Sequence, residues 1–142
     1  MKRKASAAWE GGLKDGKGKL STASGVLSNT QYSFATRFEN GVGTNPEELI
    51  AAAHAGCYSM AFSATLGKAG FNPTRVSTTA NVHLEKVGEG FAITKIELVM
   101  EAQVPGIDDA TFQSNAEAAK KGCPVSKALA SVPEITLEAS LA

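Results

Sequence analysis

From Leu49 to Gly67 the chain reads LIAAAHAGCYSMAFSATLG, a run without a single Asp, Glu, Lys or Arg. Most of these residues suit a helix, and the flanks agree with one. Asn45 is a good N-cap, Pro46 fits the first helical position, and Glu47 and Glu48 favour the positive end of the helix dipole. Glu48 stands three residues after Asn45, the spacing of a capping box. The pattern predicts a helix from Pro46 to about Lys68, with Gly70 near its C-terminus. A helix with no charged face is normally buried all round. The run also approaches the length of a membrane span. His54, Ser59, Ser63, Thr65 and many alanines dilute it, so a buried helix in a soluble domain is the expectation.

The segments around this helix alternate. SerAlaAlaTrpGlu and LysLeuSerThrAlaSer read as strands joined by a turn at GlyGlyLeuLysAspGlyLysGly. GlnTyrSerPheAlaThrArgPheGlu reads as a third strand, with Tyr32, Phe34 and Phe38 on one face and Ser33, Ala35 and Arg37 on the other. After the helix, one strand face carries Val76, Ala80, Val82 and Leu84, and a second carries Ile96, Leu98, Met100 and Ala102. GlyGluGly joins these two as a hairpin. A second helix begins near Asp108 or Asp109 with Phe112, Ala116 and Ala119 facing inward, and Gly122 stops it. Pro124 starts a short third helix through about Ser131, and IleThrLeuGluAlaSerLeu closes as a strand. Strands, helix, strands, helices and a strand in this order indicate an α+β fold.

Composition narrows the function classes. At 142 residues without a repeat or low-complexity linker, the expectation is a single domain over residues 1–142. Fourteen basic and fourteen acidic residues cancel, so charge recruits neither nucleic acid nor an anionic membrane. No apolar signal core follows the basic Met1-Lys2-Arg3-Lys4, and a cytoplasmic location is expected. There, cysteines are more often catalytic, redox-active or simply buried than held in lasting disulfides.

Two cysteines are present. Cys57 lies in the uncharged helix, where burial raises a thiol's pKa and makes it inert. Cys123 lies in KKGCPVS at a helix entrance, where amides and the helix dipole favour a thiolate. Two buried hydrophobes is the plain alternative. A metal site would need His54, Cys57, His83 and Cys123, but no CxxC or HxxxH pair announces zinc. Gly11 through Lys17 fits G-x4-G-K, yet Gly18 occupies the Ser/Thr place and a strand follows, so the phosphate-loop match fails. Arg37 is a candidate cation for a thiolate, with an ordinary sheet-surface arginine as its alternative. Glu47 is a candidate partner of Arg37, although helix capping already accounts for it. Ten positions separate Glu47 from Cys57, about 15 Å along one helix, so they cannot meet directly within it. Arg37 would have to bridge, or a two-fold-related chain would supply Glu47.

GlyThrAsnProGluGluLeuIleAlaAlaAlaHisAlaGlyCysTyrSerMet and LysGlyCysProValSer resemble the signatures of the OsmC family, osmotically inducible protein C. TrpGluGly, SerGlyValLeu, ThrArgPheGlu and PheAlaIleThrLysIle extend the likeness over almost the whole chain. The resemblance implies antiparallel sheets wrapped around long central helices in an intertwined homodimer. It implies a thiol peroxidase acting on organic hydroperoxides and more weakly on hydrogen peroxide, with no metal or other cofactor. It places the peroxidatic cysteine at Cys57, the resolving cysteine at Cys123, the activating arginine at Arg37 and that arginine's acidic partner at Glu47. The implied cycle passes through a Cys57 sulfenic acid and a Cys57–Cys123 disulfide, which a dithiol of lipoyl type reduces. Tyr58, Met60, Phe62 and Phe34 or Phe38 are core-packing residues that could also favour an alkyl or aryl peroxide. Two readings from other classes stand beside this one: a non-catalytic stress protein binding an apolar ligand in the dimer cleft, and a metal-binding module.

Overall fold

The computed structural model describes residues 1–142 and divides into two compact units, Met1–Leu49 and Ile50–Ala142. In the first, β1 (Ala5–Glu10), β2 (Lys17–Thr22) and β3 (Thr30–Tyr32) form an antiparallel sheet in that order. Gly18 sits opposite Tyr32 and beneath the Trp9 and Tyr32 rings, whose centroids are 5.4 Å apart. A Cβ at Gly18 would stand 2.3 Å from Tyr32 and 2.8 Å from Trp9, so glycine is required for the two rings to meet there.

The expected third strand ends early. Ser33 begins helix α1 (Phe34–Phe38) instead, which moves Arg37 from a sheet face to a helix. The cause is a reciprocal cap. The Thr36 N–H donates to Ser33 Oγ (3.3 Å) and the Ser33 N–H donates to Thr36 Oγ1 (2.8 Å). These local bonds override the alternating pattern.

Helix α2 (Pro46–Lys68) starts at the end of this unit and continues into the second. Asn45 caps it as expected, accepting from the Glu48 N–H at 2.8 Å. Glu48 accepts the Thr44 hydroxyl at 2.7 Å, while the Asn45 amide donates to the Thr36 carbonyl at 3.0 Å. The cap thus ties α2 to α1 within the first unit.

In the second unit, β4 (Arg75–Val87) and β5 (Gly90–Gln103) form the expected hairpin. Its register shifts at His83/Leu84, leaving Thr94 as the extra residue of a bulge. β6 (Glu134–Leu141) adds to β5 in parallel, so this sheet is mixed where antiparallel pairing was expected. The reason is the connection: α3 (Asp109–Gly122) and α4 (Pro124–Ala128) carry the chain back before β6 enters. Asp108 caps α3, and Phe112, Ala116 and Ala119 face inward as predicted. α4 ends at Ala128, short of Ser131.

The core joins Tyr58, Phe62 and Leu66 of α2 to Ile96, Leu98 and Met100 of β5 and to Phe112, Ala116 and Ala119 of α3. Buried His54, Tyr58, Phe62 and Leu66 fall at i, i+4 spacing on one stripe of α2. The opposite face, Ala52, Ala53, Gly56, Met60, Ser63 and Ala64, is exposed, with Met60 at 76%. Burial all round, expected from the lack of charge, is therefore not found in the single chain.

Candidate active site

Two polar constellations emerge, one in each unit. In the first, the capped α1 turn presents Arg37 to Glu47 in the first turn of α2. Nε donates to both carboxylate oxygens, at 3.1 and 3.3 Å, and Nη2 donates to Oε1 at 2.8 Å. The fork-on-carboxylate geometry fixes the guanidinium plane. The Glu47 side chain is only 9% exposed and that of Arg37 is 38% exposed, so the acid is sequestered and the base keeps an open edge. That edge borders a cavity of about 240 Å³ lined by Trp9, Leu13, Tyr32, Ser33, Phe34 and Phe38. Phe34 or Phe38 was weighed as a residue that could favour an alkyl or aryl peroxide. Trp9, Leu13 and Tyr32 were not. Tyr58 and Phe62 are core residues, and Met60 lies on the open face of α2.

In the second unit, Cys57 occupies the middle of α2 and Cys123 the hinge between α3 and α4. Cys123 closes α3 through its N–H to the Ala119 carbonyl (2.9 Å), and its own carbonyl accepts the Lys127 N–H (3.0 Å). Pro124, at the first position of α4, forces the break that points the thiol inward. The two free thiols share a hydrogen bond, with Sγ atoms 2.9 Å apart; Cys123 is fully buried and Cys57 half-buried.

Their ionisation is opposed. Burial pushes Cys57 up, and the hydrogen bond with Cys123 pushes it further, against a weaker pull from the Val125 amide. Burial also acts upward on Cys123. The Cys57 thiol, the Ser126 amide and hydroxyl and the Val125 amide together outweigh it and hold Cys123 below its ordinary value.

Sequence reasoning left one participant unassigned. His54, fully buried, makes a 2.7 Å hydrogen bond through Nε2 to Ser126 Oγ, one turn beyond Cys123. Its place three residues before Cys57 was the available signal, weighed as part of a possible metal-ligand set. His83, the other histidine of that set, lies on the β4–β5 hairpin and bonds to Glu97. No three His, Cys, Asp or Glu side chains cluster as a metal site would require.

Two small sheets, one thiol on a long helix and its partner at a helix break define an α+β protein with a thiol pair assembled by tertiary structure. The chain belongs to the OsmC-like protein family, whose model matches residues 38–138. It is 58% identical over 139 residues to Peroxiredoxin OsmC of Escherichia coli (strain K12), covering 98% of this chain and 96% of that one. It is 36% identical over 98 residues to the organic hydroperoxide resistance protein of Xanthomonas axonopodis pv. citri (strain 306), covering 68% and 67% of the two chains. A crystal structure of an organic hydroperoxide resistance protein OsmC from Legionella pneumophila superposes with a TM-score of 0.67 at 25% identity, over 98% of this chain and 96% of that one.

Proposed function

We propose that this chain is a cysteine-based thiol peroxidase that reduces organic hydroperoxides to alcohols in the cytoplasm. Near full-length similarity to a protein named Peroxiredoxin OsmC makes it a peroxide-detoxifying redox enzyme. The observation that carries the mechanism is the 2.9 Å contact between the two sulfurs. In this reading the Cys57 thiolate attacks a peroxide oxygen, the O–O bond breaks, and an alcohol leaves a sulfenic acid on Cys57. Cys123 condenses with it to a disulfide, releasing water, and a dithiol of lipoyl type restores both thiols by exchange. Arg37, oriented by Glu47, supplies the positive charge that favours the Cys57 thiolate and places the peroxide. The aromatic cavity beside Arg37 supports alkyl or aryl peroxides over hydrogen peroxide.

The working form in this reading is a homodimer. The uncharged outer face of α2 offers an apolar surface for a second copy to cover. Met60→Glu should shift the sedimenting species towards monomer; an unchanged dimer would remove that face from the interface.

Turnover of cumene hydroperoxide with dithiothreitol tests the chemistry in the parent, Cys57→Ser and Cys123→Ser. The parent turns over and Cys57→Ser does not. Undiminished activity in folded Cys57→Ser would sink the assignment.

A further inference from the structure

Two polar contacts join α2 to the segment that carries Cys123, and they are spaced alike on both sides. Cys57 meets Cys123 with 2.9 Å between the sulfurs, and His54 Nε2 meets Ser126 Oγ at 2.7 Å. His54 stands three residues before Cys57, and Ser126 three residues after Cys123. The contacts therefore follow one another as two rungs, one helical turn apart. Both rails are helical. His54 and Cys57 lie within α2, while the Cys123 carbonyl accepts the Lys127 N–H at 3.0 Å, which makes Cys123 the start of the turn that carries Ser126.

The histidine rung is not the simplest way to fill a core. His54 is fully buried, its Nδ1 has no partner, and burial lowers its pKa, so the ring is neutral. A buried polar atom left unpaired opposes folding, and an apolar side chain would fill the space without that penalty. What the imidazole adds is a directional bond to α4. That helix has only five residues, Pro124–Ala128, and Ser126 is the one it buries. Its bond to His54 is the single side-chain hydrogen bond that α4 makes to another element. Val125 and Leu129 also pack against the core, but apolar contact has no direction and resists separation more than sliding or turning.

We propose that His54 is a positioning residue for disulfide closure: by holding Ser126 it fixes the slide and turn of α4 against α2, and so keeps Cys123 in line with Cys57. This deepens the peroxidase reading above and rests on it. In the closing step the Cys123 sulfur attacks the sulfur of Cys57–SOH. The S–S bond forms, the S–O bond breaks, and the oxygen leaves as water with the sulfenic proton and the Cys123 proton. Such a step depends on near-attack geometry, in which a displacement of about 1 Å can cost about 100-fold in rate.

The test sets the Cys57–Cys123 dithiol against glutathione. Glutathione disulfide takes two electrons from the pair, closing the protein disulfide and releasing two glutathione thiols. The equilibrium constant reports how well the fold holds the two sulfurs together. His54→Phe and Ser126→Ala should each lower it about tenfold, which raises the midpoint potential by about 30 mV. His54→Gln, whose amide can donate or accept at the place of Nε2, should return the constant to the parent value. Tyr58→Phe controls for general loosening. It removes a buried hydrogen bond made by the same helix, to the Ala116 carbonyl of α3 at 3.1 Å, and should leave the constant unchanged. Unchanged constants in the folded His54→Phe and Ser126→Ala proteins would overturn the proposal. So would an equal fall in Tyr58→Phe, or a fall in His54→Gln matching that in His54→Phe. Should His54→Phe not fold, Ser126→Ala decides against the same control. No peroxide enters this equilibrium, so its outcome is separate from a failure of cumene hydroperoxide turnover in the parent.

Discussion

Arg37 and Glu47 meet as full charges near the surface of one unit, and Cys57 and Cys123 meet as thiols in the core of the other. The ion pair keeps the arginine edge open to water, so the charges escape most of the desolvation that a wholly buried pair incurs. The thiols answer burial differently, by bonding each other at 2.9 Å, with Ser126 and Val125 holding Cys123 below its ordinary value. Permanent charge is thus placed where it is cheapest to hold, and switchable charge where the dielectric makes each proton count.

The largest break in this contrast is Cys57→Ser, which should reduce peroxide turnover by at least about 1000-fold, as loss of a covalent nucleophile does. Next comes Phe62→Ala. Phe62 is fully buried and meets Phe112 edge-on, with centroids 5.4 Å apart, so the second unit should lose about 3–5 kcal/mol in urea unfolding. Arg37→Met leaves the sequestered Glu47 carboxylate unpaired. Because Arg37 is partly solvated, the expected loss lies between surface and buried pairs, about 1–3 kcal/mol, alongside lower turnover. Tyr58→Phe removes one buried hydrogen bond to the Ala116 carbonyl and should cost about 1 kcal/mol by the same unfolding measurement. The smallest effect lies at Asp108, whose carboxyl is held below its ordinary value by the Thr111 hydroxyl and N–H. A depressed folded-state pKa stabilises above the unfolded value and is lost as pH falls through the folded one. Asp108→Asn should flatten that acid limb of Tm against pH and leave neutral pH nearly unchanged.

Legibility followed the range of the interactions. The β4–β5 hairpin, the inward face of α3 and the Asn45 cap are local patterns, and all were readable. The strand expected through Arg37 failed because Ser33 and Thr36 offer each other better hydrogen bonds than the sheet would. For α2, absence of charge was taken for burial, whereas in the single chain one face packs and the other is exposed. The parallel entry of β6 depends on the path of two helices, which no residue pattern encodes. Within the site, Cys57 and Cys123 stood out as residues, but their contact spans sixty-six positions. The His54–Ser126 bond spans seventy-two, so His54 could be noticed but not assigned.

The nearness of the two sulfurs also sets a clock. A sulfenic acid is harmed only by meeting a second peroxide, which drives it to the sulfinic state that most cells cannot repair. A reacting group held in place at 2.9 Å acts at an effective molarity far above that of any peroxide in solution. In the proposed cycle, ring closure should therefore outrun overoxidation, and the protein should survive peroxide surges that would destroy a lone-thiol catalyst.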